Sequence, residues 1–271
     1  MNNEEKIKIS VAGASGRMGR MIVQSITNNQ NAKIISATCD PVEKEFLGKD
    51  VGLLSGLPEN GVIIGSDPSK LLMGDVIIDF TTPDISMFHT KLATEKSIPI
   101  VIGTTGLSDQ NEKNLNEFSK NIPIVYASNM SVGVNLLFGL VEDAIKKAGF
   151  EWDVEILEMH HNKKIDSPSG TAVSLGKIAA KALNENYEKV STFSRKGVIG
   201  KRKKNEIGFA VLRGGSVVGE HKVILATDNE RIELSHKAET RKIFANGAVR
   251  AALWTLKQKP GLYNMKDVLG L

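Results

Sequence analysis

The stretch that most restricts the fold is Ile7-Lys8-Ile9-Ser10-Val11-Ala12 running straight into Gly13-Ala14-Ser15-Gly16-Arg17-Met18-Gly19. Apolar Ile7, Ile9 and Val11 alternate with polar neighbours, which predicts a strand. After the glycines, Met18, Met21, Ile22 and Ile26 fall on one face of a predicted helix. Strand, glycine-rich turn and helix in this order form a dinucleotide-binding unit. Gly13 would permit the tight turn, Gly16 the approach of a pyrophosphate to the backbone, and Gly19 close helix–strand packing. The spacing is Gly-x-x-Gly-x-x-Gly, a departure from the usual Gly-x-Gly-x-x-Gly.

Downstream residues extend this unit into a sheet. A second strand, residues 34–38, ends at Cys39-Asp40, where an acid can accept hydrogen bonds from the hydroxyls of an adenosine ribose. Residues 41–74, rich in Gly, Pro and charge, read as irregular connection with a short strand at 62–64. Val76-Ile77-Ile78-Asp79-Phe80 is a continuous apolar run, typical of a buried parallel strand. Helix over 83–95, strand over 98–102, helix over 109–119 and strand over 124–127 then alternate, which predicts a doubly wound α/β sheet. In such sheets ligands bind outside the carboxyl ends of the strands. Three such ends are polar or glycine-rich: Phe80-Thr81-Thr82, Gly103-Thr104-Thr105-Gly106 and Ala127-Ser128-Asn129-Met130.

After Ser131-Val132-Gly133-Val134-Asn135 a long helix runs to about Lys147, and the character changes. The apolar run Val154 to Leu157 reads as a strand arriving from Asp153, and strands over 207–213, 216–227 and 231–237 alternate polar with apolar, which suggests an α+β domain with a mixed, largely antiparallel sheet. Gly214-Gly215 reads as a tight hairpin. The basic run from Arg195 to Lys204 has no interleaved aromatics, so it reads as a solvated loop and not as a nucleic-acid site. The single cysteine, Cys39, precludes an internal disulfide, no signal peptide or bilayer-length apolar run is visible, and a cytoplasmic protein is expected. The net charge of +4 favours anionic ligands.

The chemistry concentrates in Glu158-Met159-His160-His161-Asn162-Lys163-Lys164-Ile165-Asp166-Ser167-Pro168-Ser169-Gly170-Thr171-Ala172. A strand delivers the histidines, and a helix with Ala172, Leu175, Ile178, Ala179 and Ala182 on one face begins at its end. Backbone N–H groups near Gly170 and Thr171 would point outward from this helix start and make an anion site. A proton donor, a cation and an anion cradle in one strand–loop–helix unit suit a small carboxylate substrate. Five His and one Cys without a closing pair at ligand spacing argue against zinc, and no metal is expected.

This run resembles the signature of the 4-hydroxy-tetrahydrodipicolinate reductase (dihydrodipicolinate reductase) family, Glu-x-His-His-x-x-Lys-x-Asp-x-Pro-Ser-Gly-Thr-Ala, at every specified position. Similarity extends nearly end to end, including Asn246-Gly247-Ala248-Val249-Arg250 and Lys266-Asp267-Val268-Leu269. The resemblance implies a Rossmann-like domain, residues 1–130 and 241–271, and a substrate-binding and oligomerisation domain, residues 131–240, in a protein that is usually a homotetramer through its sheet domain. It implies an NAD(P)H-dependent reduction of hydroxy-tetrahydrodipicolinate, or its dehydrated form, to tetrahydrodipicolinate in the diaminopimelate route to lysine. Cofactor contacts would come from Gly13, Ala14, Ser15, Gly16, Arg17, Met18, Asp40, Gly103, Thr104, Thr105, Ala127, Ser128, Asn129 and Met130. His160 would be the proton donor, since imidazole titrates near neutral pH. Lys164 would bind a carboxylate and assist the proton, while His161, Gly170 and Thr171 would hold the substrate carboxylates. Many family members have an arginine after the acid, but here Pro41 follows Asp40. NADH is therefore expected, with Lys44 as a route to NADPH. Since cofactor and substrate sites would fall on separate domains, hinge closure is expected. Two rivals share parts of this pattern: another two-domain NAD(P)-dependent dehydrogenase, and a non-enzymatic dinucleotide sensor that would need no proton donor.

Overall fold

A computed structural model describes residues 5–271. It divides into two compact units, Met1–Val132 with Arg241–Leu271, and Gly133–Thr240.

The first unit opens with β1 (Ile7–Ala12), α1 (Arg17–Thr27), β2 (Ala32–Thr38), α2 (Val51–Leu54), β3 (Ile64–Gly65), β4 (Val76–Asp79), α3 (Pro83–Glu95), β5 (Ile100–Ile102), α4 (Asp109–Phe118) and β6 (Pro123–Tyr126). Every pairing among these strands is parallel, with β1 between β2 and β4. Ile77 and Ile78 of β4 and all of β5 are fully buried, as expected of parallel strands covered on both faces. Ile22, Val23 and Ile26 of α1 share one core with Ile78 and Val101, with Met18 and Met21 half-buried at its margin, while Ile77, Ile100 and Ile102 pack into a second core.

The segment 41–74 is more ordered than its composition suggests. It contains α2 and a 3-10 turn over Pro68–Met73, and its strand lies at Ile64–Gly65 rather than at 62–64. The buried Asp50 carboxylate organises it by accepting N–H groups from Leu53 (3.0 Å), Asn60 (3.2 Å) and Gly61 (2.7 Å). Apolar periodicity does not record such a side-chain hub.

The second unit contains α5 (Val132–Ala148) from its second residue on, β7 (Asp153–His160), α6 (Gly170–Ala182), α7 (Tyr187–Val190), β8 (Ser191–Thr192), β9 (Ile207–Arg213), β10 (Gly219–Ala226) and β11 (Arg231–Ala238). The strand order is β11-β10-β7-β9-β8. The two long β10 pairings are antiparallel, whereas β9 runs parallel to β7 and β8. Leu137, Val141 and Ile145 of α5 and Leu175 and Ala179 of α6 share one core with Val154, Ile156, Val223 and Leu225 of the sheet.

The strand order and the ion pairs correct two expectations. Gly214-Gly215 is not a tight hairpin, because β9 and β10 are separated by β7. The turn instead arches over the end of β7, with Gly214 N–H donating to His160 O (2.9 Å) and Asn162 N–H to Gly215 O (3.2 Å). Local sequence carries the turn but not the strand inserted between its arms. The basic run is likewise not simply solvated. Arg195 is forked onto Glu155 (2.7 and 2.8 Å) and pairs with Glu206, and Arg202 reaches Asp153 (2.8 Å) and the Val154 carbonyl (2.9 Å). Its lysines at 196, 201, 203 and 204 are exposed.

The chain returns to the first unit with α8 (Lys242–Thr255), β12 (Gly261–Tyr263) and α9 (Met265–Leu269). β12 pairs in parallel with β6 and completes a seven-stranded sheet of order β12-β6-β5-β4-β1-β2-β3. At three residues it was too short to read from the sequence. α8 buries Ala245, Ala248, Ala251 and Ala252, and a Cβ at Gly247 would lie 1.7 Å from the Met130 carbonyl oxygen. Small residues thus let α8 press against the loop after β6. No helix among the described residues is long and apolar enough to cross a membrane.

Candidate functional site

In the first unit the glycine turn joins β1 to α1. Gly13 has φ +75°, and a Cβ there would meet the Phe80 carbonyl oxygen at 2.5 Å. At Gly19 a Cβ would lie 2.1 Å from Gly13 O and 2.6 Å from Ala14 Cα. Around Gly16 the space is open apart from Gly13 O at 3.3 Å. Gly16 caps α1 without a side-chain hydrogen bond to the helix, so the first-turn N–H groups have no capping side chain. Such a helix start attracts phosphate.

Two cavities flank this turn. One of about 500 Å³ is lined by Gly13, Ser15, Gly16, Asp40, Glu43 and His89. The other, about 700 Å³, collects Arg17, Met18, Gly103, Thr104, Thr105, Ser128, Asn129 and Met130, together with Arg241. Phe80 and Thr81 belong to both walls, so the two cavities are adjacent. Of the expected cofactor residues, only Ala14 and Ala127 line neither. Ala14 is fully buried with its N–H on Thr38 O (2.9 Å), and the Ala127 N–H is on Ile102 O (3.2 Å). Two adjacent chambers that share Phe80 and Thr81, with the open Gly16 backbone on the wall of the first, offer a cleft for a dinucleotide.

The acid end of the cleft has more charge than Asp40 alone. Asp40 Oδ1 accepts the Val42 N–H (2.9 Å), so it also serves as a turn carboxylate. Glu43 Oε2 accepts the Ser15 hydroxyl at 2.5 Å, tying this acid to the glycine turn. Burial, reinforced by Glu43, Asp40 and Glu45, pushes the Cys39 thiol up from its usual range. Sequence reading missed Glu43 because no local motif links it to a turn 28 residues earlier. It also missed Asp79, fully buried, whose carboxylate takes Ser86 Oγ (2.6 Å), Thr81 Oγ (2.7 Å) and His89 Nδ1 (2.6 Å). A carboxylate ending an otherwise apolar strand is the signal that could have found it.

In the second unit β7 carries Glu158 and His160 on one face, and His221 of β10 lies opposite Glu158 in the register. Glu158 is 1% exposed. Its Oε2 meets His160 Nδ1 at 2.5 Å and Arg213 Nη1 at 2.8 Å, while its Oε1 accepts Arg213 Nη2 (2.9 Å) and the Ser169 N–H (3.0 Å). Burial alone would raise its pKa. Arg213, His160 and the Ser169 N–H outweigh that, and the carboxyl lies below its ordinary value. Against an ionised acceptor, Nδ1 of His160 is the donor and Nε2 is left to exchange protons. Burial lowers the His160 pKa from its ordinary value, Glu158 opposes that, and Lys164 and Arg213 add to it.

Ser169 caps α6, its hydroxyl accepting the Ala172 N–H (3.2 Å), and Gly170 is exposed at the first helical position with half-buried Thr171 next. The Ser169 hydroxyl is also 2.9 Å from His221 Nε2, and the His221 and His160 rings meet edge-on at 5.1 Å. Lys164 pairs with Asp166 (2.8 Å), and Arg213 holds the Asp166 carbonyl (2.8 Å), so the loop is anchored to the same arginine as Glu158. His161, just beyond β7, is half-buried and accepts the Lys164 N–H on its carbonyl (3.2 Å). The structure therefore gathers His160, His161, Lys164, Gly170 and Thr171 around one strand end and one helix start. Among the described residues no group of three His, Cys, Asp or Glu could hold a metal.

Residues 7–130 match the model of the dihydrodipicolinate reductase N-terminus and residues 133–269 that of its C-terminus. The chain is 46% identical to proteins named 4-hydroxy-tetrahydrodipicolinate reductase from Geotalea uraniireducens, over 98% of this chain and 99% of that one, and from Geobacter sulfurreducens, over 97% and 99%. A dipicolinate-bound dihydrodipicolinate reductase from Paenisporosarcina sp. TG-14 shares the fold with a TM-score of 0.77 at 23% identity, covering 96% of this chain and 97% of that one. Aspartate semialdehyde dehydrogenase II from Vibrio cholerae, complexed with ASA, aligns with a TM-score of 0.55 at 12% identity, covering 94% and 99%.

Proposed function

Because the chain belongs to the dihydrodipicolinate reductase family and is an NAD(P)H-dependent oxidoreductase, we propose that it reduces hydroxy-tetrahydrodipicolinate, or its dehydrated form, to tetrahydrodipicolinate on the diaminopimelate route to lysine. The observation that carries this reading is the second-unit cluster: a buried imidazole with Nδ1 fixed and Nε2 left to titrate, beside a lysine and a helix N-terminus.

Bound nicotinamide supplies the hydride. The protein's work is to hold a dianionic ring and to deliver a proton. The N–H groups at Gly170 and Thr171 hold one carboxylate through hydrogen bonds and the helix dipole. Lys164, with His161, takes the other and offsets charge that develops on the ring. Fixing both carboxylates removes rotational freedom, which supplies much of the rate. Nε2 of His160 then gives its proton to the electron-rich carbon left after hydride addition. In the first unit the open backbone at Gly16 and the start of α1 receive the pyrophosphate, with Arg17 beside it. The residues 103–105 and 128–130 line the nicotinamide end.

NADH is the proposed preferred cofactor. Asp40 accepts the ribose hydroxyls, and with Glu43 on the same wall a 2′-phosphate would meet two carboxylates at close range. Like charges at that distance disfavour binding. The enzyme is proposed to act in the cytoplasm as a homotetramer formed through the second sheet. The test couples the purified protein to dihydrodipicolinate synthase and follows oxidation of NADH and NADPH separately. Rapid synthase-dependent oxidation, faster with NADH, is expected, and no oxidation of either nucleotide would refute the assignment.

A further inference from the structure

The carboxylate behind His160 joins three parts of the second-unit site: the imidazole, the Arg213 guanidinium and the start of α6. Glu158 is the most buried acid of this unit. Its four contacts go to the imidazole, to both terminal nitrogens of Arg213, and to the backbone N–H of the residue that caps α6. An ionised carboxylate removed from water is costly unless fully paired. Here every lone pair of Glu158 is spent on fixing the geometry of three neighbours.

We propose that Glu158, clamped by Arg213, is a positioning residue that fixes His160 with Nδ1–H donating and Nε2 as its proton-carrying nitrogen, and holds the α6 helix start in register with it. The inference rests on the reading of His160 as proton donor. Three features support it. Nδ1 of the imidazole meets an obligate acceptor, which settles the tautomer. The nitrogen on the far side of the ring faces a glycine: a Cβ at Gly219 would stand 2.9 Å from Nε2. And the same carboxylate reaches Ser169 N, so the anion cradle and the proton donor share one anchor.

The groups facing the imidazole come from four elements: Glu158 of β7, Arg213 of β9, His221 of β10 and Lys164 of the following loop. Glu158 is the only anion among them, so it is what stabilises the imidazolium against two cations and burial. Losing its charge removes that support. The imidazolium then loses its proton at lower pH, and the limb on which activity falls as pH rises moves towards acid.

Glu158→Gln tests this at nearly constant shape. The amide can still accept the Ser169 N–H, but it presents N–H to Nδ1 and reverses the tautomer. The expected result is a fall in kcat of about a hundredfold, a KM for NADH within twofold of the parent (roughly 0.4 kcal/mol), and a kcat/KM limb moved to lower pH. Arg213→Lys keeps a cation on the carboxylate and should retain the parent limb. ¹⁵N spectra of the unmodified enzyme provide an independent readout that does not depend on a variant folding. Neutral His160 should show a protonated Nδ1 and an unprotonated Nε2, and the opposite tautomer would overturn the inference. An unshifted limb in Glu158→Gln, alongside lost turnover in His160→Ala, would overturn this inference and leave the donor reading standing. Full turnover in His160→Ala would overturn both.

Discussion

Gly16 and Gly19 are three residues apart, yet alanine should damage them in different ways. At Gly19 the new Cβ would sit 2.1 Å from Gly13 O and 2.6 Å from Ala14 Cα. Both are backbone atoms of the turn, and real Cβ contacts stay beyond 3.0 Å. The turn must therefore separate from α1. Overpacking of this kind costs roughly 1–3 kcal/mol even when side chains yield, and here only backbone can yield. Alanine recovers about 1 kcal/mol of helix propensity, so a net loss of about 2 kcal/mol is expected. At Gly16 the only close atom is Gly13 O at 3.3 Å, and the backbone (φ −69°, ψ 164°) suits any residue. Folding should lose at most about 1 kcal/mol of cap preference. The Cβ would instead stand where the pyrophosphate approaches, weakening NADH binding by at least tenfold, or about 1.4 kcal/mol. Urea unfolding and fluorescence titration of NADH on both variants separate the effects. Parent-like NADH affinity in Gly16→Ala would refute the cofactor reading of the turn. Parent-like stability in Gly19→Ala would refute the packing argument.

Asp40→Ala should change the NADH to NADPH ratio of kcat/KM several-fold towards NADPH, with substrate KM unaltered, and Glu43→Gln should move it the same way. Lys164→Ala should raise the KM for the dicarboxylate and lower kcat while the Kd of NADH stays constant, as read by steady-state kinetics and titration. His221 is buried, and burial first, then His160, pulls its pKa from 6.5 to about 4. Its neutral form is thus favoured by folding, so it stabilises fully above pH 6.5, and that contribution disappears as pH falls towards 4. The whole step is worth about 3 kcal/mol. His221→Gln should flatten the drop in urea midpoint between pH 6.5 and 4, and an unchanged drop would contradict the linkage.

The fold was legible where burial writes itself into periodicity. The apolar runs at 76–80 and 98–102 announced a sheet covered on both faces, and the glycine turn announced the passage from β1 into α1. Illegible parts depend on partners distant in sequence. Insertion of β7 between β9 and β10 is a tertiary choice, so Gly214-Gly215 resembled an ordinary hairpin. β12 needs only three residues because β6 supplies its pairing. In the site, His160, His161 and Lys164 were readable because the chemistry and the helix start lie within one short run of sequence. Glu158 stood in the same run but showed no role until Arg213, 55 residues later, was seen to complete its shell. Glu43 was hidden for the same reason, since only the Ser15 hydroxyl reveals it. The arginines at 195 and 202 read as solvent-facing because their acids lie on β7 and next to β9, out of view of any local window.

In the proposed mechanism His160 delivers a proton and has no share in holding the nucleotide. Turnover and NADH affinity measured side by side on His160→Ala test it most directly. The predicted result is a fall in kcat of about 10²–10⁴-fold with the Kd for NADH within a factor of two. Parallel loss of both, or retained turnover, would contradict it.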